Sequence, residues 1–376
     1  MHNPRSGVEP STRAAKSNGC FSGLNQCFAN RSRICGYSYI WQNLGARQPV
    51  RTLLPNCRSV GCKERSLTSA FRSSPYVALS GVHAATICPM DITGKIHESE
   101  LASHIETVSN SRAIRGLLIN GHAGEGHLLS LSERRIVLDI VKASAPPGCF
   151  VTAGVTSEST AQATQEAMEA ASAGASAILV FPPNHWANGV DVRMAVDHHR
   201  QIATACGMPL VLYKAPIGMG AMSYSPDILS ALLDIDAVCG IKEGSWEVAA
   251  YEATWRLSKT QRADVIVMGS GDEHLLTSFI IGSAGSQVSL AAIIPDTITD
   301  LFDAATRGDW KTARSLHEDL YPLSVAIYRD APRFLATARL KTCLKLLGRI
   351  SCDKVKAPMR QLCPDEVERL REVLTL

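Results

Sequence analysis

The chain has 376 residues, of which 45% are hydrophobic and 19% are charged, a composition that excludes a wholly disordered protein and is typical of a globular one. The formal net charge of +3 is unevenly distributed, because residues 1–78 contain 11 of the 38 Lys and Arg residues but only two acidic residues, Glu9 and Glu64. The remainder of the chain is therefore net acidic, which gives no reason to expect a nucleic acid as a partner.

Residues 1–78 are rich in Arg and Ser, nearly free of acidic residues and without apolar periodicity. This composition is typical of an organellar transit peptide. The alternatives are a disordered tail and an upstream extension that is absent from the mature protein. We expect a mitochondrial or other organellar location if the segment is a transit peptide, and a cytoplasmic location otherwise.

The 12 cysteines include no CxxC pair and no histidine at zinc-finger spacing, so we predict no metal site. Cys88, Cys149, Cys206 and Cys239 lie in or near apolar runs, which predicts buried free thiols in a reducing compartment. The uncharged stretch 275–295 is interrupted by Ser, Thr, Gln and Gly residues. It therefore favours a helix, a glycine-rich turn and a buried strand over a membrane span.

From residue 79 onward, short apolar runs alternate with helix-like segments. Residues 157–173, for example, are rich in Ala and Glu with apolar residues three and four apart, and the segment ends at Gly174. Eight such alternations predict a (β/α)8 TIM barrel over residues 79–295. A doubly wound sheet is the competing fold, but it seldom needs eight regular units. The predicted strands are 82–89, 116–121, 149–155, 177–183, 209–216, 237–244, 264–272 and 286–292.

After Ile294 the pattern contains helices only. Residues 296–376 are accordingly predicted to be a C-terminal α-helical extension. Such an extension packs beside the barrel or makes an oligomer contact.

Tyr213 and Lys242 end two consecutive predicted strands, at the end of the barrel where active sites of this fold lie. Neighbouring parallel strands are about 5 Å apart, so the two side chains can meet over one substrate. An inward lysine loses water, which lowers its pKa from about 10.4 and makes a neutral amine available for imine formation with a ketone or aldehyde. Tyr213 is then the proton carrier, while Lys214 and Glu243 alternate outward and have no chemical role.

A glycine-rich turn, GHAGE at residues 121–125, follows the second predicted strand. Backbone N–H groups of such a turn can bind a carboxylate, although glycine-rich turns after strands are usually structural. Ser130 or Ser132, with Glu133, is predicted to begin the next helix. Asp272 is predicted to cap the helix that follows GSGD.

Together these residues resemble the dihydrodipicolinate synthase / N-acetylneuraminate lyase family of class I aldolases, over about residues 80–350. The matching motifs are GHAGE (121–125), YKAP (213–216), GIKE (240–243), GSGDE (269–273) and GSAGSQVS (282–289). The resemblance implies that Lys242 forms a Schiff base with a 2-oxo acid such as pyruvate and that Tyr213 shuttles protons. It also implies a homo-oligomer, a tetramer or a dimer, with no cofactor. The substrate-binding residues that it implies are Gly121, His122, Ala123, Gly124 and Val288.

The chain departs from the family's synthases at the positions that contact substrate. His122 and Ala123 replace two hydroxyl residues, and His122 either takes over their contacts or bonds to a backbone carbonyl as an ordinary loop histidine. Residues 181–189 lack the family's tyrosine pair, and Gly218 stands where the synthases have an arginine for a second carboxylate. These departures argue against true dihydrodipicolinate synthesis, and Trp186 and Met219 indicate a more apolar pocket for the second substrate.

The leading functional prediction is a carbon–carbon lyase or aldolase of 2-oxo acids. The alternatives are a hydratase or dehydratase that uses the same imine, and a catalytically silent metabolite-binding barrel. No motif for a metal, flavin or nucleotide is present, and we expect neither a nucleic acid nor a membrane partner.

Overall fold

The computed structural model describes residues 76–374. Most of the predicted N-terminal segment 1–78, with its five cysteines, lies outside these residues. The seven cysteines of the described part are free, and Cys88 and Cys239 among them are fully buried. Cys149 and Cys206 are only partly buried. Burial was therefore predicted correctly for two of the four.

Eight parallel strands close into a barrel in chain order, which confirms the predicted fold class. Each strand falls on one of the predicted apolar runs, and most strand residues are buried on both faces, as strands covered by helices must be. The strands are β1 (Gly81–Ala85), β2 (Ile114–Ile119), β3 (Phe150–Val155), β4 (Ala177–Val180), β5 (Leu210–Lys214), β6 (Val238–Glu243), β7 (Ile266–Gly269) and β8 (Gly285–Val288).

Eight helices follow the strands in alternation. Their ends carry the expected signals: Ser130 and Glu133 form a capping box at the start of the second helix, and Ser159 caps the third. Residues 275–295 form a helix, a left-handed turn at Gly282 and a buried strand, as predicted. The helices are α1 (Glu98–Ser109), α2 (Leu131–Ser144), α3 (Thr160–Ser172), α4 (Val192–Cys206), α5 (Pro226–Leu233), α6 (Val248–Gln261), α7 (Leu275–Ile281) and α8 (Pro295–Thr306).

The C-terminal extension consists of α9 (Trp310–Tyr328), α10 (Ala336–Leu346) and α11 (Pro364–Val373). The predicted boundary between barrel and extension, at residue 295, lies one helix too early. Helix α8 packs against β1 and α7 and completes the ring of helices, so the extension begins at α9. None of the helices within residues 76–374 is both long enough and apolar enough to cross a membrane.

The side chains inside the barrel can be followed from strand to strand. Gln287 of β8 donates a hydrogen bond across the barrel to Thr152 Oγ1 of β3, at 3.2 Å. The pairing register carries this inner face from Thr152 through Leu179 to Val211, and Tyr213, two residues further on, therefore also points inward. The inner side chains at the carboxyl ends of β5 and β6 thus meet at one mouth of the barrel.

Candidate active site

Tyr213 and Lys242 lie side by side at the carboxyl ends of β5 and β6, where the pairing register sets them opposite each other. The Lys242 Nζ atom is 5.5 Å from the centre of the Tyr213 ring. The next pair in the register, Lys214 and Glu243, faces the helices outside the barrel, where the two side chains form an ion pair. The structure therefore places all four residues on the faces predicted from strand alternation.

Lys242 is 8% exposed, and it forms no ion pair within residues 76–374. Burial lowers the pKa of its amine to about 8, and the carboxylate of Asp272 only partly opposes this shift. At pH 7 a group with this pKa is about one-tenth neutral, far more than an ordinary lysine. The geometry thus supplies the uncharged amine that attack on a carbonyl requires.

Tyr213 is buried between aromatic rings. Its ring centre lies 4.6 Å from that of Phe181, which follows β4. Burial, and then the negative charge of Glu243, raises the pKa of the Tyr213 hydroxyl, so this group keeps its proton. A protonated hydroxyl next to the amine can donate a proton to a substrate oxygen and take one back.

The turn at residues 121–125 follows β2 and is held closed by its own backbone. The Gly126 N–H donates to Gly121 O at 2.9 Å, and the Glu125 N–H donates to His122 O at 3.0 Å. A Cβ at position 126 would lie 1.9 Å from Asn120 O, so only glycine fits there.

The backbone amides of His122, Ala123 and Gly124 donate to no group within residues 76–374. Successive free amides in a turn are the arrangement that binds anions such as a carboxylate. The amide donors that the resemblance implies are thus present and unoccupied by other protein groups.

His122 is brought into the site beside Tyr213. Its ring centre lies 4.4 Å from that of Phe181 and 5.7 Å from that of Tyr213. The residue is exposed to solvent, although its ring packs on both of these aromatic side chains. The partial desolvation of the ring, with the charges of His127 and Lys242, lowers the imidazole pKa. The ring is accordingly neutral, and its nitrogens make no hydrogen bond within the described residues, in contrast to the alternative of a bond to a backbone carbonyl.

Asp272 does not cap the following helix, so this prediction was wrong. Helix α7 begins only at Leu275 and has no side-chain cap. Instead the Asp272 carboxylate is buried and accepts a hydrogen bond from the Leu290 N–H at 2.9 Å, after β8. Burial raises the pKa of this carboxyl to about 6, while the charge of Lys242 acts against that rise. Asp272 therefore belongs to the electrostatic surroundings of Lys242.

Two other sequence-based assignments change with the structure. The alternation along β8 puts Gln287 inside the barrel, so the side chain of Val288 points outward and only its backbone can face a ligand. Trp186 is 3% exposed and packs on His198 and His199 of α4, so it does not line a pocket for a second substrate. Met219 is exposed, as that prediction required.

Sequence reasoning missed Phe181, the ring that joins His122 to Tyr213. It ends a continuous apolar run and so carries no polar signal that marks it as a site residue. In the segment that follows Phe181, the Asn184 and His185 backbone amides donate hydrogen bonds to the Glu158 carboxylate. No group of three metal-ligating side chains within residues 76–374 is placed to hold a metal ion.

The chain is similar to known proteins along both its barrel and its C-terminal extension. The sequence profile of the Dihydrodipicolinate synthetase family matches residues 78–376. The chain belongs to this family. A 4-hydroxy-tetrahydrodipicolinate synthase of Methanococcoides burtonii is 30% identical over 295 residues, which are 78% of this chain and 97% of the relative. The enzyme of the same name from Thermodesulfovibrio yellowstonii is 29% identical over 282 residues, 75% of this chain and 92% of the relative.

Solved structures of the dihydrodipicolinate synthetase family share the fold. A prophage protein of the family from E. coli K12, solved in complex with pyruvate, aligns with a TM-score of 0.72 at 21% identity, over 79% of this chain and 97% of that one. A catalytic lysine mutant of the sialic acid aldolase of Ruminococcus gnavus aligns with a TM-score of 0.71 at 20% identity, over 79% and 95% of the two chains. The fold is thus shared with a protein of the family and with an aldolase, so the fold leaves the reaction of this chain to be argued from its own site.

Proposed function

We propose that this protein is a class I aldolase that forms a Schiff base between Lys242 and a 2-oxo acid such as pyruvate. The observation that carries the proposal is the pairing of Lys242, buried without a counter-ion and with its pKa lowered to about 8, with the protonated hydroxyl of Tyr213. The free amides of the turn at residues 121–125 support a substrate that carries a carboxylate.

The proposed reaction begins with attack of the neutral Lys242 amine on the C2 carbonyl carbon of the 2-oxo acid. Tyr213 donates its proton to the carbonyl oxygen, which finally leaves as water when the protonated imine forms. The imine withdraws electrons from C3, so a proton or a carbon substituent can leave there and an enamine results. In the synthetic direction the enamine attacks an aldehyde carbon. In the cleavage direction the C4 hydroxyl loses its proton as the C3–C4 bond breaks and an aldehyde is released; the enamine then takes up a proton at C3, and water hydrolyses the resulting imine.

The rim of the site favours a second substrate that has no carboxylate of its own. Gly218 provides no cation there, and the neighbouring Ile217 and Met219 are both exposed apolar residues. A carboxylate desolvated against such a surface would lack a partner, which is costly. We therefore propose that the protein is not a true dihydrodipicolinate synthase and that its aldehyde partner is uncharged at this end.

Borohydride trapping tests the proposal. The purified protein is incubated with pyruvate and other 2-oxo acids, reduced, and examined by mass spectrometry for an adduct on the Lys242 peptide. We expect an adduct with at least one 2-oxo acid and none in Lys242→Ala. A folded wild-type protein that traps none of them would contradict the Schiff-base mechanism and favour a metabolite-binding barrel.

Product analysis then separates an aldolase from a hydratase or dehydratase. When a trapped 2-oxo acid carries a hydroxyl at C4, an aldolase releases pyruvate and an aldehyde, whereas a dehydratase releases water and leaves the carbon chain intact.

The predicted homo-oligomer and the predicted organellar location remain predictions.

A further inference from the structure

The last residue of the GHAGE turn, Glu125, forms an ion pair with Lys341 of α10 in the C-terminal extension. Both side chains are completely buried. Lys341 also donates a hydrogen bond to Lys354 O at 2.8 Å. A fully buried lysine thus links the extension to the turn whose amides are proposed to bind the substrate carboxylate.

Two further hydrogen bonds join the C-terminal extension to the turn. The Lys356 N–H donates to the other carboxylate oxygen of Glu125 at 2.7 Å, and the Thr337 hydroxyl donates to His122 O at 3.2 Å. Glu125 itself has a φ of 56°, a left-handed conformation that costs free energy for a residue other than glycine. The extension therefore holds the turn at both of its ends, in a conformation that the turn does not favour by itself.

A buried ion pair is weak evidence for stability, because well-packed apolar residues of the same volume often stabilise a protein equally or better. The effect of this pair is on geometry: because neither charge has access to water, each has to stay next to its partner. The amides of Ala123 and Gly124 lie between the Thr337 bond and the Glu125 pair, and the amide of His122 belongs to the residue whose carbonyl Thr337 holds. Fixing the two ends fixes these amides, and a preorganised anion site binds more tightly than one that must order on binding.

We infer that Lys341 is a positioning residue which, through Glu125, holds the amides of the turn in place for the carboxylate of the 2-oxo acid. The inference rests on the proposed function. It makes the C-terminal extension part of the substrate site, although none of its residues has to touch the reacting atoms. Loss of the pair is expected to weaken carboxylate binding and to leave the reactivity of the Lys242 amine unchanged.

The test compares trapping of two carbonyl compounds by the full-length protein. Pyruvate carries a carboxylate, whereas propanal has a reactive carbonyl and no carboxylate. The variants are Glu125→Gln, Lys341→Met, the double variant that removes both charges, and Thr337→Val, which removes only the hydrogen bond to His122 O. Lys345→Met is the matched control. Lys345 lies one turn further along α10, where its half-exposed side chain pairs with Asp353 at 2.8 Å.

We expect the pyruvate concentration for half-maximal trapping to rise about tenfold or more in Glu125→Gln and Lys341→Met, and a few-fold in Thr337→Val. Trapping of propanal at Lys242 should stay within about twofold of wild type in each of them, and Lys345→Met should match wild type for both compounds. Lys341→Arg, which keeps the charge, is expected to recover part of the pyruvate affinity. A general loss of structure would reduce both reactions alike.

Three outcomes decide the matter. Selective loss of pyruvate trapping supports the positioning role. Unchanged pyruvate dependence in Glu125→Gln and Thr337→Val, or equal losses with pyruvate and propanal, overturns it, and the Thr337 variant keeps this test available even where a charge variant does not fold. If wild-type protein traps propanal but no 2-oxo acid at any concentration, the proposed function fails first, and the positioning role fails with it.

Discussion

Two lysines at the ends of neighbouring strands have almost the same burial and opposite surroundings. Lys214, on the outer face of β5, is 6% exposed, and its amine lies 3.3 Å from Glu243 Oε1 and 2.8 Å from Thr254 Oγ1. Lys242, on the inner face of β6, is 8% exposed, but within residues 76–374 its amine has no ion-pair partner; it lies near the Tyr213 ring, with Asp272 as a more remote charge. The two buried lysines therefore differ in their partners: Lys214 is paired with a carboxylate, whereas Lys242 has no ion-pair partner within residues 76–374.

The outer pair, Lys214 and Glu243, has a structural role. Lys214 donates a hydrogen bond to Thr254, which belongs to α6, and so links the strands to that helix. The inner lysine is an amine whose charged form the barrel disfavours.

The largest expected effect comes from replacing each lysine by methionine. Lys242→Met should abolish trapping of pyruvate and leave the free energy of unfolding unchanged or higher, because a desolvated amine is removed. Lys214→Met should keep trapping but lower the free energy of unfolding by about 3 kcal/mol, since Glu243 loses its buried partner. Denaturant unfolding together with trapping checks both, and adding Glu243→Gln to Lys214→Met should restore part of the stability. Equal destabilisation by the two single variants would contradict the contrast.

Tyr213→Phe is expected to lower turnover by about 10² to 10³ fold, the usual contribution of a positioned acid and base. The Lys242 adduct should still form, more slowly, because the amine remains. Steady-state turnover of a cleavable hydroxy-2-oxo acid measures the effect. Tyr224→Phe is the control: this tyrosine is also buried, but its hydroxyl contacts His199 of α4. A similar loss in both variants would indicate damage to the fold instead of a lost proton donor.

The rate of imine formation is expected to depend on pH through Lys242. The amine must be neutral to attack, and burial lowers its pKa to about 8. With saturating pyruvate the rate constant should fall about tenfold per pH unit below about pH 8 and level off above it. Cyanoborohydride trapping from pH 5.5 to 9.5 measures this pH-dependent part of the profile, the acidic limb. A rate constant that still rises tenfold per pH unit up to pH 9.5, as expected for an ordinary lysine with a pKa of about 10, would contradict the assigned electrostatics.

The smallest expected effect is a displacement of that limb in Asp272→Asn. The carboxylate raises the pKa of Lys242, so its removal should lower this pKa further and move the limb to lower pH by up to about one unit. The asparagine oxygen can still accept the Leu290 N–H, which preserves the local structure. Because the pKa of Asp272 is itself about 6, the difference from wild type should disappear below that pH. A limb displaced to higher pH would contradict the sign of the interaction.

The agreement between sequence and structure is closest where a pattern is local. The strands follow from apolar runs, the start of α2 from Ser130 and Glu133, and the inward and outward faces of β5 and β6 from simple alternation. Errors occur where a residue of another structural element decides. Asp272 bonds to the amide of Leu290 after the next strand, and Trp186 is covered by α4, and neither partner is marked in the surrounding sequence.

The sequence by itself determined the barrel, the order of its elements and the two residues proposed for the chemistry, because hydrophobic periodicity and strand alternation are written in neighbouring residues. Only the tertiary structure decided how those residues are tuned. The pKa of Lys242 depends on its burial in the barrel and on the charge of Asp272, and the shape of the GHAGE turn depends on a lysine more than 200 positions away. Electrostatics and desolvation act through space, so a chain order that states which residues exist does not state which charges they meet.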